Sequence, residues 1–499
     1  MEATDDQGGT SNTGTFTFRI IGENDAPAFN VDTQPASLTE DSVSDSDLLQ
    51  ATGSISFTDI DTTDRSSIVS SVDSVFAPGT ESAQETALTA ALESALSLTG
   101  AGVTTPANEG TVNWDLSVAN DLVQYLREGE TATASYTVSV TDHTGATDAV
   151  TLNLTITGVN DQPSWHVAMG DTASGALTET DTTYLASGTL TVSDVDLGDA
   201  VSTTRTTVTS THGGLSGNAV DWFTVSGGLD AVTTTSTVTW NFEAPSPTFD
   251  YLAAGEAETL TFTLSASDTS GADDAEATTT VTLTISGTND APTIIVAEGD
   301  TDTAALSETD EPLEASGTLT VADPDVSDVV TITATSVSAT GVTSGLPASQ
   351  TDLLAMLSFD PGAVLANGDT EGQTTWTFDS DPETFDYLRK GETLTLTYAV
   401  SATDDATGGV ASDAHTITIT IDGQNDAPTW TVETGNTQGI SVTETNTGLS
   451  ASDLTLTLED IDQSDVVTIH VAGVTVSSTG NVEPQEALGW LSVAAMRAR

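Results

Sequence analysis

The chain has 499 residues, enough for three or four domains of roughly 100–150 residues each, and carries 8 Lys and Arg against 75 Asp and Glu, a formal net charge of -67. Phosphate backbones and anionic lipid heads are held chiefly by Lys and Arg, so this balance argues against nucleic acid and direct membrane insertion. Charged residues make up only 17% and hydrophobic ones 37%, a composition that folds, and the absence of cysteine rules out disulfides and thiolate chemistry.

Self-similarity dominates the chain. GENDAP at 22–27 returns as GVNDQP at 158–163, GTNDAP at 287–292 and GQNDAP at 423–428, which places Asn24, Asn160, Asn289 and Asn425 at separations of 136, 129 and 136 residues. That period is one domain long, and the phrase marks a junction. The expected units are a last strand of a preceding, truncated repeat in 1–26, complete repeats in 27–162, 163–291 and 292–427, and the opening half of a truncated fourth repeat in 428–499. Nothing in the first 25 residues reads as an export signal, which is expected to lie outside this fragment.

In chain order, residues 15–21 (TFTFRII) read as a strand. Each unit then opens with an early Glu (Glu40, Glu179, Glu308 and Glu444) and an alternating strand that runs into Asp-X-Asp, in SISFTDID, TLTVSDVD, TLTVADPD and TLTLEDID. The first Asp of each pair stands 35, 34, 34 and 35 residues after the junction Asn, and a further Asp follows the second by three residues: Asp64, Asp199, Asp328 and Asp465. Residues 85–98 and 350–357 are rich in helix formers and predict short helical inserts in the first and third repeats. Strands bearing Trp114, Trp240 and Trp376 come next, and Glu130, Glu256 and Glu392 each stand 16 residues after those tryptophans. Each unit closes on two strands around an Asp, as in LTFTLSASD and TVTLTISG. Thr, Val, Ile and Phe alternate with small polar residues at period two, and Gly, Asn, Asp and Pro punctuate the runs. The expected fold is all-β, a tandem array of immunoglobulin-like β-sandwiches with the tryptophans in their cores.

Four Asp-X-Asp pairs at nearly constant register, each with a further Asp three residues on, crowd like charges that repel unless a cation sits among them. Six to eight hard oxygen ligands, with Asn and backbone carbonyls among them, select Ca2+. The competing expectation is a set of solvated loop-tip acids. The five histidines occupy unrelated positions, and no nucleophile-elbow, phosphate-loop, dinucleotide or zinc-protease phrase occurs, so no catalytic residue is assigned and the chain is expected not to be an enzyme.

The stretch LTFTLSASDTSGADDAEATTTVTLTISGTNDAP resembles the end of a cadherin repeat, with a strand into A-x-D, a small-residue hairpin, another strand and x-N-D-x-P. The whole unit, with its GTLTVSDVD opening and Y-L-x-x-G-E centre, is similar to the VCBS repeats, cadherin-like modules of very large secreted bacterial adhesins of the RTX-like kind, although the nonapeptide calcium repeats of such proteins are absent. The resemblance implies Ca2+ between successive sandwiches. It assigns Glu40, Glu130, Asn160, Asp161, Asp194, Asp196 and Asp268 to the junction at Asn160. Glu179, Glu256, Asn289, Asp290, Asp323, Asp325 and Asp404 belong to the one at Asn289. At Asn425 the set is Glu308, Glu392, Asn425, Asp426, Asp460 and Asp462, and at Asn24 it is Asn24, Asp25, Asp59, Asp61 and Asp142. Cadherins place an acid two residues before the linker Asn, where this chain has Gly22, Gly158, Gly287 and Gly423, and their mid-domain acid follows a different turn from FDYLAAGE or FDYLRKGE. Fewer ions per junction are expected.

The implied function is a calcium-stiffened extender of an adhesin, extracellular or on a bacterial cell surface, whose partners are calcium ions and the neighbouring repeats of the same polypeptide. Two alternatives are a module that recognises a surface glycan or protein, with Trp222, Trp490 or the helical inserts as the places to look, and a non-catalytic appendage of a secreted enzyme.

Overall fold

The computed structural model describes residues 1–42, 47–61, 66–79, 83–104, 108–212, 219–273, 275–346, 348–406, 412–432, 434, 439, 456–473 and 475. Glu444, Trp490, Asp64 and Asp274 lie outside them. Strands dominate, the fold is all-β, and the few helices are short. Among the described residues no helix is long and apolar enough to cross a membrane. The chain divides into two compact units, one made of Met1–Gly175, Leu185–Ala244 and Thr259–Leu283, the other of Ala176–Tyr184, Pro245–Glu258 and Thr284–Arg499.

In the first unit, one four-stranded sheet runs in the order Ala28–Phe29, Leu48–Thr58, Glu109–Ala119, Leu96–Thr104, and a second in the order Thr33–Thr39, Thr147–Thr157, Thr131–Thr141, Ser67–Phe76. The alternation read from the sequence becomes a one-sided core: along Thr131–Thr141 every second residue is buried, from Ala132 through Tyr136 to Val140. Thr33–Thr39 lies parallel to Thr147–Thr157, and all other pairings of these two sheets are antiparallel. The same unit holds Val201–Ser210, paired antiparallel with Ala257–Ser267, and Phe223–Ser226, paired with Thr235–Ala244. Phe223 stacks on Phe262 at 4.2 Å in that core.

The second unit repeats the plan. Thr293–Ile295, Glu314–Ala322, Glu371–Asp379 and Leu357–Asp360 form one sheet, and Thr303–Ser307, Ser412–Asp422, Thr393–Thr403, Val330–Gly341 and Ala363–Leu365 the other, again with one parallel pair at the first strand. The strands that follow the first three Asp-X-Asp pairs each carry a register shift, at matching positions between Arg205 and Thr207 and between Ala334 and Ser336, and at a different register, opposite Tyr136 and Ser135, between Val72 and Ser74. Trp114, Trp240 and Trp376 are all buried.

Three local expectations are corrected. The first helix is Ala83–Glu93 and ends short of 98, because Leu96 and Leu98 pair across a sheet with Leu116 and Trp114 in Leu96–Thr104, and that pairing overrides helix propensity. The second helix is Gln350–Ala355, opened by a Ser349–Asp352 capping box, and Leu357 begins a strand. Residues 15–21 form no strand: Phe16, Phe18 and Ile20 are exposed, and no strand among the described residues pairs with them. In 428–499, Thr429–Thr431 pairs with Thr457–Glu459. Trp222 is half-buried and packs edge-on against Phe242 at 6.5 Å rather than standing out as an exposed stacking platform.

Candidate metal centres at the repeat junctions

Each Asp-X-Asp begins where its strand ends, and the carboxylates build the turn that follows. The Asp196 N–H donates to Asp194 Oδ1 at 3.0 Å, Asp325 to Asp323 at 3.0 Å, Asp462 to Asp460 at 3.2 Å and Asp61 to Asp59 at 2.9 Å. The N–H of the third acid then donates back to the carbonyl of the second, at 3.2 Å for Asp199, 3.1 Å for Asp328 and 3.1 Å for Asp465, which folds that acid toward the pair. Local hydrogen bonds of this kind hold Asp outside regular structure.

The linker closes onto the same carboxylates. The N–H of Asp161 donates to Asp196 Oδ2 at 2.8 Å, Asp290 to Asp325 at 2.8 Å, Asp426 to Asp462 at 2.9 Å and Asp25 to Asp61 at 2.8 Å. The A-x-D acid is held by its own hairpin: Asp268 Oδ1 accepts from Ser270 N–H, Asp404 Oδ1 from Ala406 N–H and Asp142 Oδ1 from Thr144 and Ala146 N–H. Asn24 and Asn289 donate their amides to Asp142 and Asp404 at 2.8 and 3.0 Å. The early glutamates reach the linker from the other direction, Glu40 accepting from Val159 N–H at 3.0 Å, Glu308 from Gln424 N–H at 3.2 Å and Glu179 from the Thr288 hydroxyl. One further bond recurs, in which the carbonyl of the central Tyr accepts the N–H just after Asp-X-Asp: Tyr125 from Leu197 at 3.1 Å, Tyr251 from Val326 at 3.4 Å and Tyr387 from Gln463 at 3.4 Å.

Glu130, Glu256 and Glu392 end the Y-L-x-x-G-E turns. Their carbonyls accept from Gly158, Gly287 and Gly423 at 2.8, 2.9 and 3.0 Å. A Cβ on those glycines would stand 2.4 Å from Leu126 O, 2.2 Å from Leu252 O and 2.3 Å from Leu388 O. At these three positions sterics therefore forbid a side chain two residues before the linker Asn, while Gly22 has open space. Replacing Gly287 with Ala must push backbone from backbone, and overpacking of this kind costs about 1–3 kcal/mol. The expected result is a fall in the thermal midpoint of a few degrees in scanning calorimetry, and an unchanged midpoint would contradict the close approach. The Glu392 side chain takes hydrogen bonds from Ser464 Oγ at 2.7 Å and Arg389 Nε at 3.2 Å, which hold its carboxyl below the usual range.

The electrostatics of these groups have one cause in common. Asp194, Asp196, Asp268, Asp323, Asp325 and Asp462 each commit one oxygen to a backbone N–H and bury the other with no donor; the third acids Asp199 and Asp328 likewise bury one oxygen without a donor. Asp323, Asp328 and Asp404, all buried, bring carboxylate oxygens within 4.8 Å of one another, as do Glu308, Asp310 and Asp426. Burial, reinforced by neighbouring acids, pushes Glu40 and Asp196 up to about 8, Glu308 and Asp325 to about 7, and Asp194, Asp290, Asp323 and Asp426 to about 6. Buried oxygens lacking donors, on carboxyls that resist ionisation, are the surroundings a hard cation relieves. The donor set is oxygen throughout and fits such a cation.

Five acids that the sequence reading left out enter these clusters. Asp250 and Asp386, from the F-D-Y-L phrases, bury Oδ1 without a donor, and burial raises both carboxyls. Asp181 and Asp310, two residues after the early Glu, add charge to Asp290 and Asp426, and Asp41 does so for Glu40. The signal was in the phrases themselves: L-T-E-T-D, S-E-T-D and F-D-Y-L each carry an acid that recurs.

No family model and no curated protein matches the chain. Solved structures that resemble it are tandem extracellular cadherin domains. The protocadherin gamma B4 extracellular domain is 14% identical with a TM-score of 0.37, covering 83% of this chain and 53% of that one. Protocadherin gamma B2 extracellular cadherin domains 1–5 are 14% identical with a TM-score of 0.38, covering 82% and 61%. The human desmocollin-1 ectodomain is 10% identical with a TM-score of 0.21, covering 81% and 59%. The chain thus spans just over half the length of these ectodomains.

Proposed function

We propose that the chain is a calcium-stiffened spacer of an extracellular adhesin, with Ca2+ bound where successive repeats meet and neighbouring repeats as its partners. The observation that carries the reading is the recurring carboxylate with one oxygen tied to the backbone and the other buried without a donor, at the junctions around Asn160, Asn289 and Asn425. Oxygen ligands from the early Glu, the linker, Asp-X-Asp and A-x-D give the ligand number and hardness that Ca2+ takes. Mg2+ requires near-ideal octahedral geometry and dehydrates reluctantly, which suits an all-protein cage less well. The resemblance to VCBS repeats supports a large bacterial surface or secreted adhesin as the parent protein.

A spacer of this kind has a mechanical requirement. With the ions removed, like charges at each junction repel and the joint loosens; with them bound, the linker is clamped between two sandwiches. Small-angle scattering is expected to show a longer maximum dimension in calcium than in chelator. Identical profiles in the two conditions would refute the stiffening role.

A further inference from the structure

The junctions are not chemically equal. In the phrases Q-Y-L-R at 124–127, D-Y-L-A at 250–253 and D-Y-L-R at 386–389, Gln124 stands where the other repeats have Asp250 and Asp386. Asp386 is 4% exposed and Glu308 is 1% exposed; their carboxyls face each other, and neither Asp386 Oδ1 nor Glu308 Oε1 has a donor. Asp310 and Asp426 complete a cluster that calls for a positive charge. At Asn289, Glu179 takes the hydroxyls of Tyr184 and Thr288, and the oxygen left buried without a donor is Oδ1 of Asp250, beside Glu179 and Asp181. At the Asn160 junction the corresponding place is filled by the protein. Gln124 Nε2 donates to Glu40 Oε1 at 3.0 Å and to Asp41 Oδ1 at 2.8 Å, while Glu40 Oε2 takes the Val159 N–H at 3.0 Å, so both oxygens of Glu40 are satisfied.

An amide that donates to two carboxylates does part of what a cation does, and it removes one carboxylate ligand from the same spot. Resting on the calcium reading above, we propose that the Asn160 junction binds one calcium ion fewer than the Asn289 junction, with the Gln124 amide bridging Glu40 and Asp41 in its stead. The remaining cluster at Asn160, built on Asp194, Asp199 and Asp268, keeps buried oxygens without donors and stays a cation site. Arg127 lies beside Glu130 at 3.6 Å, whereas Ala253 occupies the matching position at Asn289. The Asn160 joint is therefore loaded more lightly than the Asn289 joint and tolerates calcium depletion better.

The test counts ions on the intact chain by native mass spectrometry in a calcium series, with folding of each variant checked by circular dichroism. Gln124→Asp is expected to raise the saturating count by one and Asp250→Gln to lower it by one, while Asp273→Asn, at an exposed position, leaves it unchanged. A folded Gln124→Asp variant with the wild-type count overturns the inference while leaving the calcium reading intact. Should Gln124→Asp fail to fold, Asp250→Gln decides: an undiminished count overturns the inference, and a count lower by one supports it. A wild-type chain that binds no calcium overturns the inference and the calcium reading together.

Discussion

In chelator, the thermal midpoint is expected to fall as pH rises from about 5 to about 8, and millimolar Ca2+ is expected to reverse the order. Glu40, Asp196, Glu308, Asp325, Asp194, Asp290, Asp323 and Asp426 are all raised, to values between about 6 and about 8, against roughly 4 for an ordinary carboxyl. Between those limits the folded chain holds more protons than the unfolded chain, so stability declines with rising pH. Asp142 is lowered to about 2, first by the Asn24 amide, and acts in the opposite sense. Its contribution is lost only as pH falls from about 4 toward 2, outside the window tested. A bound cation removes the penalty at high pH, and at low pH protons compete with it. With the roughly 0.1–1 mM affinity usual for extracellular modules, about 10 mM Ca2+ adds up to about 2.7 kcal/mol per site at the tight end of that range. Scanning calorimetry in four conditions, two pH values with calcium and with chelator, is the measurement. A chelated midpoint that is flat or rises with pH would refute the buried-carboxylate account, and no difference between calcium and chelator at the higher pH would remove the metal.

Asp194→Asn with Asp196→Asn is expected to stabilise the calcium-free chain and weaken the calcium-bound one. Both side chains are buried, each with an oxygen lacking a donor, so losing their charge relieves repulsion when no ion is present. The amide oxygens still accept the N–H groups of Asp196 and Asp161, so the turn and the linker contact persist. The missing charges reduce affinity at the Asn160 junction by at least about tenfold, equivalent to about 1.4 kcal/mol. Nearest-neighbour coupling confines the effect, so the ligands around Asn425, which the 163–291 repeat does not supply, titrate as in the wild type. The control is Asp273→Asn, on an exposed hairpin. Equal loss of calcium affinity from the pair and from the control, measured by calorimetric titration, would favour diffuse surface acidity over built sites.

Much of this protein was legible in the sequence because it depends on short-range rules applied repeatedly. Alternation at period two over runs such as TLTFTLSAS determined strands with one buried face, because that signal lies within a few residues. Asp-X-Asp was readable for the same reason, since its turn is closed by hydrogen bonds within the pair. Other features needed the folded chain. The identity of the acid that faces the early Glu was such a case: in FDYLRKGE both Asp386 and Glu392 are available, and only the fold sets Asp386 against Glu308 while Glu392 turns to Arg389 and Ser464. The bridging role of Gln124 spans 84 residues to Glu40, beyond any local pattern. Residues 94–98 left the helix because Leu96 and Leu98 found partners across a sheet, and Gly158, Gly287 and Gly423 are required because carbonyls of a distant turn occupy the space a side chain would need. Contacts distant in sequence decide such positions, since the packing that selects the residue exists only after the strands have assembled.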